Sequence, residues 1–152
     1  MKVLGVDPGR RRVGVALSAG HLARPLTTLE GRDRDRLVAE LARLAAEHQV
    51  EAIVVGLPRN MDGTLGPAAR AAQDLAARLE ARCGLPVHLE DERLSTVEAE
   101  EALRRSGARR KRRQDKALRD RVAAALILQA WLDRQGQGGR NPPSAGGPGD
   151  RV

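Results

Sequence analysis

Four carboxylates stand beside apolar segments, where a fold could bring them together. Asp7 ends the run "KVLGVD", Asp91 and Glu92 follow the run "LPVHLE", and Asp120 lies early in the helical pattern "KALRDRVAAALIL". Carboxylates that converge repel one another, and a hard divalent cation such as Mg²⁺ or Mn²⁺ resolves that repulsion. Two such ions about 4 Å apart can activate a water and stabilise the leaving oxygen of a phosphodiester.

Each of these acids also has an ordinary structural interpretation. Asp7 could form a turn with Pro8, and Asp91 could pair with the neighbouring Arg93. Glu92 could be a surface acid, and Asp120 could simply favour the dipole at the start of its helix. The expected meeting of these acids at one edge of a sheet therefore supports the metal-site hypothesis more than any single residue does.

Basic and polar residues near these acids are candidate contacts for a phosphate backbone. In the turn after Asp7, Gly9 allows close approach of the backbone, and we expect one or two of Arg10, Arg11 and Arg12 to contact substrate. Asn60, in "GLPRNMDG", could bind phosphate, sugar or a metal-bound water, or could shape its loop as an Asx turn. Arg93 could clamp a phosphate if it does not pair with Asp91.

The net charge of +7 comes from one short block. Residues 104–113, "RRSGARRKRR", hold seven of the 27 basic residues and no acid, so the remainder balances at 20 of each sign. Such a block suits a polyanion or an anionic membrane surface, although it could also be a solvated loop. The residues that we expect to follow a phosphate backbone are Arg109, Arg110, Lys111, Arg112, Arg113 and Lys116.

Composition restricts the other possibilities. Phe and Tyr are absent and Trp131 is the only aromatic residue, which argues against an aromatic platform for single-stranded nucleic acid. The single cysteine, Cys83, excludes an internal disulfide and a cysteine-type zinc site. No secretory signal or bilayer-spanning run is apparent, so we expect a soluble, cytoplasmic protein without membrane contacts.

Periodicity predicts an α/β fold. Three short strands (2–7, 13–18 and 24–30) precede a helix from Arg34 to His48, and further strands are predicted at 51–58 and 85–91. Pro67 begins a second helix, Ser95 and Glu98 form a capping box for a third, and a fourth runs from about Asp115 to Arg134. A meander followed by two α/β crossovers predicts a mixed five-stranded sheet, with antiparallel hairpin strands, parallel strands and helices on both faces.

The last part of the chain has a different composition. From Gly136 to Val152, nine of the 17 residues are Gly or Pro, which bury too little apolar surface to offset the entropy of ordering. We therefore expect one domain over residues 1–134 and a disordered tail over 135–152.

Several of these motifs resemble one known family. The segments "GVDPGRRRVGVALS", "IVVGLPRNMDGTLGPAA", "LEDERLSTVEAE" and "RDRVAAALILQAWL" are similar to those of the YqgF/RuvX family, over nearly all of residues 2–134. The resemblance implies an RNase H-like fold. It also implies a metal-dependent nuclease, either one that matures the 5′ end of pre-16S rRNA or a Holliday junction resolvase. The expected partner is thus nucleic acid, an rRNA precursor or branched DNA, acted on by a monomer or a homodimer.

The family motifs also assign candidate catalytic and metal-binding residues. Asp7 matches the acid of the first strand, Glu92 the acid of the D-E-R motif, and Asp120 the acid of the C-terminal helix. Related resolvases carry their second acid on the strand before the second helix, but here "VVGLPRN" has no carboxylate before Asp62. That role is therefore expected of Glu92, with Asp91 as a substitute, and assistance from Asp62 stays open.

Overall fold

The computed structural model describes residues 1–92 and 116–138, with residues 137–138 described as backbone only. These residues form five strands and three helices. In chain order the elements are β1 (Val3–Asp7), β2 (Arg12–Ala19), β3 (Leu22–Glu30), α1 (Arg34–Glu47), β4 (Ala52–Leu57), α2 (Pro67–Cys83), β5 (Val87–Asp91) and α3 (Lys116–Gly138).

All five strands belong to one sheet, in the order β3-β2-β1-β4-β5. β1 and β2 pair antiparallel, as do β2 and β3, whereas β1 pairs parallel with β4 and β4 parallel with β5. The predicted mixed sheet is thus confirmed. Because β1, β4 and β5 all run the same way, their carboxyl ends lie at one edge of the sheet, and this edge is where such folds bind ligands.

Helices cover both faces of the sheet, as the sequence predicted. Strand side chains alternate between the two faces, so Leu4 and Val6 pack with α1 and α2, whereas Val3 packs with α3. β4 is buried along its whole length, which explains its nearly continuous apolar sequence.

The sheet surface under α3 is built to let that helix approach closely. A Cβ atom added at Gly5 would lie 2.8 Å from the Leu128 Cβ, and one added at Gly14 would lie 1.9 Å from the Asp120 carbonyl oxygen. The Gln129 side chain accepts a hydrogen bond from the Ala23 backbone at 2.9 Å. These contacts fix the rotation and height of α3 above β1, β2 and β3.

One buried ion pair holds α3 at its other end. Nη1 and Nη2 of Arg134 donate to the two carboxylate oxygens of Glu90, whose side chain is fully buried in β5. The paired arginine offsets the cost of burying this carboxylate. Since Glu90 and Glu92 are two residues apart, the same region of β5 holds α3 and presents a candidate catalytic acid.

The helix boundaries follow local capping chemistry. Oδ1 of Asp33 accepts a hydrogen bond from the Arg36 backbone at the start of α1, and Pro67 occupies the first turn of α2. α2 ends at Gly84, which has a left-handed φ of 68°. α3 continues to Gly138, beyond the expected end at Arg134, since one glycine costs a helix only about 1 kcal/mol.

Several expectations fall outside the described residues. They are the third helix beginning at Ser95, the basic block at 104–113, Arg93 and the tail from residue 139. Among the helices that are described, none combines the length and apolar character needed to cross a bilayer.

Candidate active site

The carboxyl ends of β1 and β5 bring two of the candidate acids together. Asp7 is the last residue of β1, and Glu92 directly follows the last residue of β5. β4 lies between these strands, and its final residue, Leu57, is opposite Asp91. The two side chains therefore meet above the end of β4, although 85 positions of sequence separate them.

Asp7 and Glu92 share a proton. Burial raises the pKa of Asp7 to about 6, the hydrogen bond from Glu92 lowers it, and the charge of Asp120 raises it. The pKa of Glu92 is raised to about 8, chiefly by burial and further by the charge of Asp7, by the hydrogen bond with Asp7 and by the charge of Asp91. Near neutral pH the Glu92 carboxylic acid thus donates a hydrogen bond to the Asp7 carboxylate.

Gly56 explains how Glu92 fits into this buried position. A Cβ atom added at Gly56 would lie 2.7 Å from Oε2 of Glu92 and 2.8 Å from Cδ1 of Ile127. The carboxyl group therefore occupies the space above a glycine backbone, beside an apolar side chain of α3. Its Oε2 atom is buried.

Asp120 lies close to this pair but is held by Arg12. The Nε of Arg12 donates to Oδ2 of Asp120 at 2.7 Å, and both side chains are partly exposed. The backbone of Asp120 packs on Gly14, which is the β2 residue paired with Asp7. No three His, Cys, Asp or Glu side chains within residues 1–92 and 116–138 are already arranged around a metal position.

The structure brings Asp91 and Asp62 into other interactions. Oδ2 of Asp91 lies 3.7 Å from Nε of Arg59, an alternative to the pairing with Arg93 that the sequence suggested. Oδ1 of Asp62 accepts hydrogen bonds from the backbone and hydroxyl of Thr64, at 3.0 and 2.6 Å. Both acids therefore support the β4–α2 loop.

Asn60 belongs to the same loop. Its Nδ2 donates to Oγ1 of Thr64 at 2.9 Å, and its backbone N–H donates to the Thr64 carbonyl. This arrangement matches the loop-shaping role considered for Asn60. Most of the loop is exposed, including the apolar side chain of Met61.

The β1–β2 turn carries the remaining described candidates. Gly9 has a structural reason to be glycine, because an added Cβ would lie 2.2 Å from the Arg12 carbonyl oxygen. Arg10 and Arg11 are exposed at this turn, and Lys116 is exposed at the first position of α3. Arg93, Arg109, Arg110, Lys111, Arg112 and Arg113 lie outside the described residues.

One residue near this turn escaped the sequence analysis. Arg32, in the connection between β3 and α1, lines a common cavity with Arg10 and Arg11. Their separation in sequence gives no indication of this contact. Only the antiparallel pairing of β2 with β3, which places Glu30 opposite Arg12, could have suggested it.

Comparison with known proteins identifies a family. The RuvX family model, described as Holliday junction resolvase, matches residues 1–134. A protein of Moorella thermoacetica named "Putative pre-16S rRNA nuclease" is 47% identical over 141 residues, which cover 91% of this chain and 99% of that protein. A protein of the same name from Anaeromyxobacter dehalogenans is 49% identical over 137 residues, covering 89% and 98% respectively.

Structural comparison supports the RNase H-like fold. The RuvC protein of T. thermophilus, in complex with a Holliday junction substrate, superposes with a TM-score of 0.61 at 21% identity. That superposition covers 90% of this chain and 96% of RuvC. The Fowlpox virus resolvase, in complex with Holliday junction DNA, gives a TM-score of 0.57 at 8% identity, covering 89% and 99% respectively.

Proposed function

Because the chain belongs to the RuvX family of Holliday junction resolvases, we propose that it is a divalent-metal-dependent nuclease that hydrolyses phosphodiester bonds in structured nucleic acid. Its favoured substrate is the precursor of 16S rRNA, cut at the 5′ end during ribosome biogenesis, which corresponds to a cytoplasmic location. The observation that carries this proposal is the buried Asp7–Glu92 pair, next to Asp120, at the edge of the sheet where the parallel strands end.

The chemistry of these residues fits a divalent cation. Asp7, Glu92 and Asp120 would be the ligands, since carboxylate oxygens suit Mg²⁺ or Mn²⁺. The Asp7–Glu92 pair keeps a proton where a cation would provide the positive charge. A bound ion would polarise the phosphoryl group and lower the pKa of an attacking water.

The chain's own groups prepare this site. Glu92 must release the proton that it shares with Asp7 before both carboxylates can act as ligands, so higher pH favours the competent state. Arg12 orients Asp120 through its Nε, which leaves its two terminal amino groups able to donate to a phosphate. Ile127 lies beside the Glu92 carboxyl group above Gly56, which makes the surroundings of this acid less polar.

The rRNA precursor is favoured by the names of relatives that are 47% and 49% identical over most of the chain. Resolution of four-way DNA junctions is the second candidate, favoured by the description of the family. Cutting a junction symmetrically requires two active sites related by a two-fold axis. A strictly monomeric protein at assay concentration would therefore count against the junction substrate, and sedimentation measures that state.

The direct test compares cleavage of three substrates. An rRNA precursor, a four-way DNA junction and plain duplex DNA are incubated with Mn²⁺ and with wild type, Asp7→Asn or Asp74→Asn. Asp74 is an exposed α2 carboxylate that pairs with Arg78, so its replacement removes the same charge far from the proposed site. We expect Asp7→Asn to lose cleavage by at least about 10³-fold while Asp74→Asn remains active.

Two results would contradict the proposal. One is cleavage by Asp7→Asn at the wild-type rate, and the other is the absence of cleavage of every substrate by wild type with Mg²⁺ or Mn²⁺. Preferential cleavage of the junction by a dimer would instead favour the second candidate.

A further inference from the structure

Two loops beside the carboxylates enclose a cavity lined by arginine. The first is the β1–β2 turn, residues 8–11, and the second is the β3–α1 connection, residues 31–33. Between them lies a cavity of about 620 Å³, lined by Arg10, Arg11 and Arg32. This volume is within the range of about 300–1,000 Å³ that is typical of small-ligand sites.

The backbones of these two loops are fixed to each other. The Gly31 N–H donates to the Arg11 carbonyl at 2.7 Å. A Cβ added at Gly31 would approach the carbonyl oxygens of Gly9 and Arg10 to 3.1 and 3.3 Å, so the loops touch without room for a side chain. The Arg32 N–H also donates to Oε1 of Glu30 at 2.8 Å. The three arginine side chains therefore extend from a defined framework.

Within residues 1–92 and 116–136, no acidic side chain neutralises the positive charge of this cavity. Among the described residues, the guanidinium groups of Arg10, Arg11 and Arg32 form no ion pair, whereas Arg43 and Arg78 pair with acids on their own helices. The two acids that flank Arg32 in sequence are already used by the backbone, since Glu30 accepts from the Arg32 N–H and Asp33 caps α1. Three converging cations repel one another, and an anion between them would relieve that repulsion.

We propose that Arg10, Arg11 and Arg32 form a phosphate pocket that holds one phosphate group of the nucleic-acid substrate beside the carboxylates. This proposal rests on the nuclease function proposed above. Guanidinium groups present paired N–H donors that match phosphate oxygens. The pocket lies on the β2–β3 side of Asp7, so it would fix the strand on one side of the cleaved bond.

The phosphate could come from either of two places on the substrate. It is an internal phosphodiester if the strand continues past the pocket, and a terminal 5′-phosphate if the strand ends there. The same three arginines would recognise both, because both present anionic oxygens. Oligonucleotides with and without a 5′-phosphate distinguish the two sources.

The experiment measures binding without cleavage. Fluorescence anisotropy in EDTA records the affinity of labelled RNA, with a 5′-phosphate or a 5′-hydroxyl, across a series of KCl concentrations. Wild type is compared with Arg32→Ala, Arg32→Lys and Arg24→Ala. Arg24 is a matched control because it is exposed on the same strand-loop unit but lies at the far end of β3, paired with Leu17.

We expect Arg32→Ala to weaken binding by about fivefold or more, and to reduce the slope of log K against log[salt] by about one. Arg32→Lys should recover part of the affinity, and Arg24→Ala should change the affinity by less than about twofold. A loss confined to the 5′-phosphorylated RNA assigns the pocket to a terminal phosphate, and a loss with both RNAs assigns it to an internal one.

Equal affinities and salt slopes for Arg32→Ala and Arg24→Ala would contradict the proposal that the pocket binds phosphate. Thermal unfolding of both variants identifies any loss of affinity that is caused by misfolding. In that case the comparison is made with Arg32→Lys, which keeps the positive charge. Because EDTA prevents metal-dependent cleavage, this result is independent of the nuclease assay. Wild type that binds RNA through Arg32 but never cleaves it would overturn the nuclease function alone.

Discussion

At the scale of single residues, the candidate site depends on carboxylates with altered acidity. Glu92 is forced into a nearly dry position above Gly56, and its proximity to Asp7 makes ionisation of both acids costly. Asp120 remains outside that pair because Arg12 holds it. The site thus places the Asp7–Glu92 pair beside the Arg12–Asp120 pair.

Replacing Glu92 should change how stability depends on pH. Its pKa is about 8 in the folded chain against 4.5 when exposed, so the folded state keeps a proton that the unfolded state loses between these values. Without divalent cations, the unfolding free energy of wild type should therefore fall as pH rises from about 4.5 to 8. The contribution is on the order of a few kcal/mol and should be absent in Glu92→Gln.

Urea unfolding at pH 5 and pH 8 measures this contribution. Glu80→Gln, which changes an exposed acid of α2, is the matched control and should follow wild type. If Glu92→Gln loses as much stability as wild type between the two pH values, Glu92 is not the buried acid described above.

At the scale of elements, the position of α3 on the sheet decides whether Asp120 can reach Asp7. The helix approaches because β1 and β2 carry glycine beneath it, at Gly5 and Gly14. Thr28 of β3 donates to the Ala117 carbonyl at 2.6 Å, which fixes the first turn of α3 from the other side. The Arg134–Glu90 pair fixes its far end. The geometry of the proposed site is therefore a consequence of helix-to-sheet packing.

A single methyl group added at Gly14 should move Asp120 away from Asp7. Its Cβ would lie 1.9 Å from the Asp120 carbonyl oxygen, a backbone atom that moves only with the helix. We expect Gly14→Ala to lower stability by about 1–3 kcal/mol and to reduce cleavage far more than this loss explains. Denaturant unfolding and cleavage rates under conditions where the variant is fully folded measure the two effects.

Gly136→Ala is the control for this substitution. Gly136 lies in α3, the helix that packs on Gly14. No atom lies within 4 Å of a Cβ added at Gly136, apart from the backbone of the helix itself. The change should therefore stabilise α3 by up to about 1 kcal/mol and leave cleavage unchanged. If Gly14→Ala retains wild-type stability and activity, α3 does not depend on close contact at that point.

At the scale of the whole molecule, strand order brings distant sequence positions to one edge. The sequence predicted this outcome because β1, β4 and β5 have strongly apolar patterns, and their terminal acids are recognisable as Asp7 and Glu92. The mixed sheet, the helices on both faces and the family were also predicted correctly.

Other features depend on contacts that no local pattern encodes. The Arg12–Asp120 pair joins residues 108 positions apart, and Arg32 approaches Arg10 only through the pairing of β2 with β3. The sequence suggested Arg93 as a partner of Asp91, whereas the fold of the β4–α2 loop brings Nε of Arg59 within 3.7 Å of its Oδ2. Tertiary packing, rather than residue type, decides these interactions.

The most direct test of the account is calorimetric titration of Mn²⁺ into the protein at pH 8, without nucleic acid. Wild type and Asp74→Asn should bind Mn²⁺ with equal affinity, whereas Asp7→Asn and Glu92→Gln should each weaken binding by about tenfold or more, because each removes an anionic oxygen ligand. Wild-type affinity in both Asp7→Asn and Glu92→Gln would contradict the proposed site.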